Sequence, residues 1–365
     1  MSAVLTVNTG SSSVRLAAFA LPGLAKIAEA HHDAHGGDAA GLLRAFLELH
    51  ALSDVSVAAH RVVHGGGQLT VPCVVDPSVE AEIARLAPLA PLHNPRALEW
   101  MAAARAVLGE VPQVAVFDTG FFAHMPEVAA TYALPRALST RLGLRRFGFH
   151  GLAHEAMARR WRELDPGGGG RVISLQLGAG CSITATRDGR AVDTSMGFSP
   201  LEGLVMATRA GDVDPGLLLH LQRIEGMTPE MLERLLNEES GLLGLSGTSG
   251  DMRALLASHE PAARLAIDLY GYRARKYVGA YLAVLGGADA LLFGGGVGEH
   301  APEVRAKILA GMEWAGIGLD DGRNAAARSG EARIDNARGG PAIWVVAVDE
   351  AAMMAQKALS LVTRG

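Results

Sequence analysis

The feature that most constrains the fold of this chain is an internal echo in its sequence. Residues 4–15 read VLTVNTGSSSVR and residues 172–183 read VISLQLGAGCSI, so each stretch has an apolar strand, a turn of small residues and a second strand. A second echo aligns VAVFDTG, which ends at Gly120, with ALLFGGG, which ends at Gly296. Because the two echoes occur in the same order, we predict that the chain contains a duplicated domain.

The length and the helical patterns fit this duplication. A chain of 365 residues exceeds what one hydrophobic core usually supports, so two domains are expected. Helical patterns alternate with the apolar strands, which is typical of an α/β fold, and two similar halves facing each other would bring four strand-end turns to one nucleotide-clamping cleft. One helix is predicted to have Asn94 as its N-cap and Pro95 at its first helical position. Further helices are predicted within residues 228–240, 261–285 and 302–316, and a strand followed by a helix within residues 342–362.

Composition and charge exclude several classes of protein. The formal net charge is −5 and no run of basic residues occurs, so nucleic acid is not an expected partner. The two cysteines, Cys73 and Cys181, are far apart and have no ligand residues nearby at metal spacing, which indicates neither a disulfide framework nor a zinc site. The apolar stretches are interrupted before they reach membrane-spanning length, and the N-terminal one lacks a basic leading region. We therefore expect a soluble, cytoplasmic protein with no membrane partner.

One segment has the composition of a binding site. Residues 193–215, DTSMGFSPLEGLVMATRAGDVDP, place acids, hydroxyls, glycines and prolines around an apolar centre, and they fit neither an amphipathic helix nor an alternating strand. Arg209 precedes AGDVDP, which marks a loop turning into a new helix. A guanidinium is permanently charged, and its planar fork suits a carboxylate or a phosphate. Alone, Arg209 would be interpreted as part of a surface ion pair, but the neighbouring strand-end turns favour anion binding.

The strand ends carry further candidates. The turn of residues 8–13, NTGSSS, offers clustered backbone N–H groups and hydroxyls that can contact phosphate, with Arg15 shortly after it. Arg61 ends an apolar strand before three glycines, which let a ligand approach closely. Asp118 ends the strand VAVFD, where buried acids often serve a site, and His150 lies in the motif RRFGFHG. Each also has a purely structural interpretation. The turn would be an inert hairpin, Arg61 an edge-strand arginine, Asp118 a turn cap and His150 a core histidine.

Together these motifs resemble those of the acetate kinases. The resemblance spans essentially the whole chain, and it implies a duplicated two-domain α/β fold of the acetate and sugar kinase, Hsp70 and actin type (ribonuclease H-like), with the active site in the interdomain cleft. Residues 1–120 plus 351–365 would form the first domain, and residues 121–350 a second domain that binds the nucleotide and forms a homodimer contact. The motifs occur in the family's order: VNTGSSSVR, HRVVHGG, APLHNP, VAVFDTGF, RRFGFHG, DTSMGFSPLEGLVMATRAGDVDP, SGLLGLSG, GDMR and GGGVGE.

The resemblance also implies an activity and its catalytic residues. The family transfers the γ-phosphoryl group of ATP to a short carboxylate, reversibly and with Mg²⁺ or Mn²⁺, so the expected function is acetate kinase, with ATP/ADP and acetate/acetyl phosphate as small-molecule substrates. Carried onto this sequence, Arg61 and Arg209 would hold the anion. His150 would donate a hydrogen bond to the transferring phosphoryl group. Asp118 would orient the acyl substrate or help to hold the metal.

Three further groups of residues follow from the resemblance. The metal would be held by Asn8 and Glu350. The acyl pocket would be lined by Val63, Leu92, Phe149 and Pro200, with Arg61 beside it. The nucleotide would be bound by Gln176, Gly178, Ala179, Gly180, Asp251, Met252, Arg253, Gly294, Gly295, Gly296, Val297, Gly298 and Arg15.

The sequence departs from the family pattern on the phosphate side. Gln176 and Ala179 stand where the family usually has a histidine and an asparagine, and His300 replaces an asparagine in the adenosine-side loop. Arg15 replaces a lysine, which keeps the charge but changes its geometry. Gln176 can still donate a hydrogen bond, so ATP remains the expected phosphoryl donor.

Three alternatives stay open. A propionate kinase would use the same chemistry in a roomier pocket. The changed phosphate loops raise the possibility of another donor, such as pyrophosphate. A non-enzymatic clamp like Hsp70 or actin would need an added peptide-binding domain, and it gives no reason for Arg61, Arg209 and His150 to occur together.

Overall fold

The computed structural model of the chain describes residues 2–10, 13–33 and 38–363. These residues form two compact units. The first unit comprises the described residues of 1–123, 149–152 and 349–365, and the second comprises residues 124–148 and 153–348. Ser11 and Ser12 of the turn that was expected to contact phosphate lie outside the described residues.

The first unit contains a mixed six-stranded sheet. Its strands are β1 (Ala3–Thr9), β2 (Ser13–Ala20), β3 (Ala25–Asp33), β4 (Val55–Val62), β5 (Cys73–Val74) and β6 (Gln113–Phe117). Their spatial order is β3-β2-β1-β4-β6-β5. The pairs β1–β2, β2–β3 and β5–β6 are antiparallel, whereas β1–β4 and β4–β6 are parallel.

The second unit repeats this sheet. Its strands are β7 (Arg171–Leu177), β8 (Cys181–Arg187), β9 (Arg190–Thr194), β10 (Ala290–Gly294), β11 (Ala332–Arg333) and β12 (Ala342–Val345). Their spatial order is β11-β12-β10-β7-β8-β9, and the sequence of parallel and antiparallel pairs matches that of the first sheet. The duplication predicted from the sequence is therefore confirmed.

The second sequence echo, however, aligns strands that are not equivalent. It pairs β6 with β10, but β10 is bonded to β7 as β4 is bonded to β1, and β6 corresponds to β12. The glycines that follow β10 therefore correspond to residues 65–67 after β4, and not to Gly120. The echo misleads because every buried parallel strand is an apolar run that ends in a turn, so local similarity does not fix its place in the sheet.

Burial explains why these strands are apolar without interruption. Every residue of β1, β6 and β10 is buried, as expected for central strands covered on both faces. In the first unit, Leu5 packs in a cluster with Leu43 and Trp100 from two helices. In the second unit, Trp161 and Leu292 lie in one cluster. Full burial of each such side chain stabilises the fold by about 1.5–3 kcal/mol.

The helices follow the predicted patterns closely. The predictions within residues 228–240, 261–285 and 302–316 are confirmed by α8, α11 and α13, and the final strand and helix by β12 and α15. Among the described residues, no helix combines the length and apolar character needed to cross a membrane. The helices are α1 (Ala39–Leu49), α2 (Pro77–Arg85), α3 (Asn94–Leu108), α4 (Glu127–Ala130), α5 (Arg136–Leu142), α6 (Gly151–Leu164), α7 (Pro215–Ile224), α8 (Pro229–Glu238), α9 (Gly241–Ser246), α10 (Met252–Ala257), α11 (Pro261–Leu285), α12 (Gly295–His300), α13 (Pro302–Leu309), α14 (Asp321–Ala326) and α15 (Glu350–Val362), with short 3₁₀ turns at Ala87–Leu89, Gly120–Phe122 and Glu313–Ala315.

The predicted N-cap role of Asn94 is wrong. His93 occupies the cap position of α3 without a side-chain cap bond, and Asn94 is already helical. The Asn94 amide instead pairs with the backbone of His64: its Oδ1 accepts from the His64 N–H at 3.2 Å and its Nδ2 donates to the His64 carbonyl at 3.0 Å. Asn94 therefore ties the start of α3 to the chain that leaves β4.

His60 predicts a pH dependence of stability. Its ring is buried in β4, and burial lowers its pKa to about 4, with Gln113 offsetting part of the effect. The unfolded chain binds the proton near pH 6.5, so stability falls as the pH drops from 6.5 towards 4. We expect His60 to remove about 2 kcal/mol from the free energy of unfolding between pH 6.5 and pH 5, measured by urea unfolding.

The His60→Gln variant should lose less stability over this pH window than the wild type. The His220→Gln variant is the control, since His220 is exposed on α7. Equal pH slopes in the His60 variant and the wild type would contradict the prediction.

Candidate active site

Predicted site residues meet at the carboxyl ends of the parallel strands in the first unit. Asn8 lies near the end of β1, Arg61 near the end of β4, and Asp118 directly after β6. Carboxyl ends of parallel strands share one edge of a sheet, where open α/β sheets bind ligands. Glu350 joins this group from the first position of α15.

These four side chains form one bonded network. Arg61 donates from Nε and Nη2 to Asp118 Oδ2, at 2.9 and 2.5 Å, and from Nη1 to Asn8 Oδ1 at 3.0 Å. Asn8 Nδ2 in turn donates to Glu350 Oε2 at 2.8 Å, and this carboxylate lies 4.0 Å from Arg61 Nη1. The bonds use three of the five N–H groups of the guanidinium, so two are left for an anion.

The two carboxylates share one guanidinium, and their pKa values move apart. Burial raises the pKa of Asp118, Arg61 opposes the rise, and the charge of Glu350 adds to it. Burial also acts to raise the pKa of Glu350, but Arg61, Asn8 and nearby cations outweigh it, so this pKa is lowered. Glu350 is therefore the carboxylate that is held ionised by its surroundings.

His150 adopts a backbone conformation that is uncommon for a residue other than glycine. Its φ is +58°, in the left-handed region, and such strain concentrates at functional sites. The next residue has to be glycine, because a Cβ on Gly151 would lie 2.1 Å from the carbonyl oxygen of Asp118, which accepts the Gly151 N–H at 3.1 Å. His150 also lies close enough to Glu350 for its charge to lower the pKa of that carboxylate.

The oxygen atoms of this network fit a magnesium ion that is completed by substrate. Asp118 Oδ1 is buried and accepts no hydrogen bond of normal geometry within the described part of the chain. No group of three or more His, Cys, Asp or Glu side chains suited to a metal occurs among those residues. Mg²⁺ commonly binds one or two carboxylates together with waters and substrate phosphates, so Asp118 and Glu350 suffice. Asn8 bridges Arg61 and Glu350 in this arrangement.

Arg209 lies in the second unit. Its Nη1 donates to the carbonyl oxygen of Pro200 at 2.6 Å. Within residues 2–10, 13–33 and 38–363, no carboxylate lies within 4 Å of this guanidinium. Burial lowers the pKa of Arg209. A desolvated guanidinium without a counter-ion is suited to bind a carboxylate or a phosphate.

Asp212 closes the loop that carries Arg209. Its Oδ1 accepts from the Gly203 N–H and its Oδ2 from the Tyr277 hydroxyl, both at 2.8 Å. The Asp212 N–H also donates to the Gly203 carbonyl at 3.0 Å. These bonds join Gly203 and Asp212, the two ends of the segment that contains Arg209, and so fix the backbone on either side of it.

Glu202 holds the part of the loop that contains Pro200. It accepts hydrogen bonds from Arg146 Nη2 and from the Tyr132 hydroxyl, both at 2.5 Å. The Tyr132 oxygen accepts from the Phe198 N–H at 2.8 Å, and burial together with Glu202 raises the pKa of Tyr132, so the hydroxyl keeps its proton. Glu202 and Asp212 were not predicted as site residues, because they act by holding other groups: Glu202 bonds Arg146 and Tyr132, and Asp212 bonds the Gly203 N–H and Tyr277. Both are acidic residues within residues 193–215, and this was the sequence signal that could have indicated their role.

The predicted phosphate loops adjoin each other in the second unit. Gln176 of β7 pairs in register with Gly294 of β10, so the turn of residues 178–180 and the start of α12 follow neighbouring strand ends. Gly295 has φ +75°, and a Cβ there would lie 2.6 Å from the Leu177 carbonyl oxygen, so only glycine allows this approach. Gln176 Oε1 is buried and has no hydrogen-bond partner among the described residues.

The other predicted residues lie as follows. Arg15 is exposed and pairs with Asn8 across β1 and β2. Asp251 caps α10, Arg253 is exposed and bonded to Asp251 at 2.9 Å, and the side chain of Met252 is buried. Ala179 and Gly180 lie in the turn after β7, and Gly296, Val297 and Gly298 lie in α12, which corrects the expected loop there. Val63 and Phe149 are buried and Leu92 is exposed.

Sequence reasoning missed Arg305, which supports one of these loops. Arg305 is fully buried on α13, and its Nη1 donates to the carbonyls of Gly298 and Glu299 at 2.8 and 3.0 Å. Its Nη2 donates to the carbonyls of Asn324 and Ala327 at 2.9 and 2.6 Å, and its Nε to Asn324 Oδ1 at 2.8 Å. The sequence signal that could have indicated Arg305 was an arginine on the apolar face of a predicted helix.

Comparison with known proteins agrees with this geometry. The sequence model of the acetokinase family matches residues 24–356. The acetate kinase of Chloroherpeton thalassium is 45% identical over 324 residues, which cover 87% of this chain and 78% of that protein. The acetate kinase of Leifsonia xyli is 43% identical over an alignment of 398 residues that covers all of both chains.

Solved structures give the same result. The crystal structure of Porphyromonas gingivalis acetate kinase has a TM-score of 0.90 and 34% identity, and the match covers 99% of this chain and 100% of that one. A propionate kinase from Francisella tularensis has a TM-score of 0.91 and 33% identity over the same shares of the two chains. The duplicated α/β fold, the family match and the extent of these similarities show that the chain belongs to the acetokinase family.

Proposed function

We propose that the protein is an acetate kinase, which transfers the γ-phosphoryl group of ATP to acetate and forms acetyl phosphate and ADP. The observation that carries this proposal is Arg209, a guanidinium with no carboxylate within 4 Å in the described part of the chain, in a loop fixed by Asp212 and Glu202. The names of the relatives support the choice of acetate as acceptor.

The chemistry accounts for the kinds of residue present. An oxygen of acetate attacks the γ-phosphorus, a new P–O bond forms, and the bond from phosphorus to the ADP oxygen breaks. Acetate is already ionised at neutral pH, so no proton has to be removed and no general base is needed. The protein has to bring two anions together and stabilise the charge spread over the transferring oxygens.

Arg61 and Arg209 take the main roles in this scheme. Each is proposed to bind an anionic group of the substrates, the carboxylate of acetate or the transferring phosphoryl group, and His150 to donate a hydrogen bond to the phosphoryl group. Asp118 keeps the Arg61 guanidinium in a fixed plane through two hydrogen bonds, which orients its remaining N–H groups. Preorganised charge of this kind acts without reorganisation during the reaction.

Mg²⁺, or Mn²⁺, bound to the phosphates would neutralise charge on the nucleotide. Glu350 is the carboxylate whose surroundings favour the ionised form, and Asp118 offers a second buried oxygen. Asn8 orients Glu350 by donating to its Oε2. These residues therefore form the metal side of the proposed site.

Acetate is the proposed acceptor and propionate the alternative. Val63, Leu92, Phe149 and Pro200 are assigned to the acyl pocket. One methylene changes transition-state binding by only about 1–3 kcal/mol, so propionate is expected to be a slower substrate. The similarity to the Francisella propionate kinase is the reason to test it.

The second unit is proposed to bind the nucleotide. Gln176 is the penultimate residue of β7, and Gly178 and Gly180 lie in the turn after it, beside the glycines that follow β10. ATP is the proposed donor, and pyrophosphate is the alternative that the changed loop residues Ala179 and His300 motivate.

We further propose a homodimer in the cytoplasm. The helix α7 has no buried residue, although its sequence is PGLLLHLQRI. Leu217, Leu219 and Ile224 are exposed to 48%, 49% and 68%. Such an exposed apolar helix favours a contact with a second copy through the second unit.

Coupled turnover of the purified protein tests the function. We expect the highest rate with acetate, ATP and Mg²⁺ among the pairs of acetate or propionate with ATP, GTP or pyrophosphate. A higher kcat/KM for propionate than for acetate would establish the alternative acceptor. Turnover with pyrophosphate alone would replace ATP as the donor, and no turnover with any pair would refute the proposal.

A further inference from the structure

Two stretches of backbone hold Arg209, and they are fixed in different ways. The carbonyl oxygens of residues 206–208 accept hydrogen bonds of 2.8–3.0 Å from N–H groups of residues 240–243, around the start of α9. The guanidinium, in contrast, donates from Nη1 to the carbonyl of Pro200 at 2.6 Å. The direction of the guanidinium therefore depends on the stretch of residues 198–203, and not only on the backbone beside Arg209.

Tyr277 of α11 holds one end of this stretch through Asp212. The Tyr277 hydroxyl donates to Asp212 Oδ2 at 2.8 Å, and Asp212 Oδ1 accepts from the Gly203 N–H at 2.8 Å. Burial, and then the charge of Asp212, raise the pKa of Tyr277, so the hydroxyl keeps its proton and is the donor. Gly203 has φ +107°, and a Cβ there would lie 2.7 Å from the Ser195 carbonyl oxygen, so the backbone at this end has little freedom.

Tyr132 holds the other end through Glu202. Its hydroxyl donates to Glu202 Oε2 at 2.5 Å and accepts from the Phe198 N–H at 2.8 Å. A Cβ on Gly197 would lie 2.1 Å from this hydroxyl, so only glycine lets the tyrosine approach so closely. Pro200 thus lies between two tyrosine–carboxylate pairs, one on each side of it in sequence.

We propose that Tyr132 and Tyr277 are positioning residues for Arg209. Together they hold residues 198–203, and the Pro200 carbonyl then aims the guanidinium at the anion that reacts. The inference rests on the proposed function, since it assigns Arg209 to an anionic group of the substrates. The two hydroxyls act on the reaction only through this arginine.

The test compares Tyr132→Phe and Tyr277→Phe with a matched control, Tyr281→Phe. Tyr281 lies four residues after Tyr277 on α11, and its hydroxyl is buried without a hydrogen-bond partner among the described residues. With acetate and ATP, kcat should fall about ten-fold in Tyr277→Phe, which loses one bond to a carboxylate. It should fall further in Tyr132→Phe, which loses two bonds, and stay unchanged in Tyr281→Phe.

The KM for ATP should change by less than about two-fold in both variants. The reason is that the Ala207 N–H donates to the carbonyl of Ala179, in the turn after β7, at 3.0 Å. Residues 206–208 are held around the start of α9, without either tyrosine. The proposed nucleotide side should therefore keep its place when the stretch of residues 198–203 loosens.

Double variants separate positioning from a merely structural role. In an Arg209→Ala background, adding Tyr132→Phe or Tyr277→Phe should lower kcat by less than about two-fold more, because the residue through which they act is gone. Losses of kcat that multiply in the double variants would overturn the inference. So would a loss in Tyr281→Phe as large as that in Tyr277→Phe.

Thermal stabilisation by inorganic phosphate gives a readout that is independent of turnover. We expect Arg209→Ala to lose part of the shift in Tm that phosphate causes, and the two phenylalanine variants to lose a similar part. If this pattern appears in a protein without acetate-dependent turnover, the acetate kinase proposal fails and the positioning role stands. Full phosphate stabilisation and full kcat in both variants would refute the inference, as would a wild type that shows neither turnover nor stabilisation by phosphate.

Discussion

Replacing Arg209 with alanine is expected to lower kcat for acetate phosphorylation about 10²–10³-fold, the loss typical when one preorganised charge stabiliser is removed. The reason is that Arg209 has no carboxylate of its own within 4 Å in the described part of the chain, so its charge is available to the substrate. Arg209→Lys keeps the charge but loses the planar fork, and should recover only part of the rate. Steady-state turnover with acetate, ATP and Mg²⁺ measures both variants.

The control for this prediction is Arg234→Ala. Arg234 lies on α8 in the same unit, is exposed to 69%, and pairs with Glu239 at the surface. We expect its kcat to equal that of the wild type. An Arg209→Ala enzyme that keeps its rate, or one that loses rate only in step with a lower Tm, would remove Arg209 from the catalytic residues.

Arg61 and Arg209 differ in a way that the reaction explains. Arg61 is held by Asp118 and Asn8, which fix its plane, and the carboxylate of Asp118 offsets much of its charge. Among the residues that the structure describes, the Arg209 side chain is held by one backbone carbonyl, which orients the guanidinium and leaves its charge uncompensated. In the proposed function, Arg61 would therefore contribute geometry that is set in advance, and Arg209 would contribute net positive charge.

The sheet order could be predicted only in part. The hairpin echo of β1–β2 and β7–β8 is a local pattern, because each hairpin is contiguous in sequence, and it was confirmed. The parallel pairs join strands that are far apart in the chain, so their order depends on packing that no local pattern encodes. The alignment of β6 with β10 failed for this reason.

The candidate site, too, could be predicted from the sequence only in part. The bond between Asn8 and Glu350 spans 342 residues, and only the resemblance to a family placed both residues on the metal side. Glu202 and Asp212 escaped prediction because no spacing rule describes their contacts. Glu202 bonds the side chains of Arg146 and Tyr132, and Asp212 bonds the Gly203 N–H and the Tyr277 hydroxyl. A site assembled from side chains is easier to find in sequence than the residues that position it.

Arg305→Ala is expected to have the largest effect on stability. The five hydrogen bonds of Arg305 run to four backbone carbonyls and one amide oxygen. Alanine leaves these buried acceptors without donors and opens a cavity, which should cost about 4 kcal/mol or more of the free energy of unfolding. Burial lowers the pKa of Arg305 to about 10, so the side chain is still charged at neutral pH. The substitution therefore removes a charged donor. Urea unfolding at neutral pH measures the effect.

Two variants make this prediction specific. Arg328→Ala is the control, since Arg328 is an exposed arginine whose side chain pairs with Glu303, and it should change stability by less than about 1 kcal/mol. Arg305→Lys supplies up to three donors in place of five, so it should fold but hold the carbonyls of Gly298 and Glu299 less firmly. Because these carbonyls end α12, the helix after the glycine loop, the KM for ATP should rise in Arg305→Lys while the KM for acetate stays the same. A stable Arg305→Ala protein with an unchanged KM for ATP would show that the loop holds its conformation without this arginine.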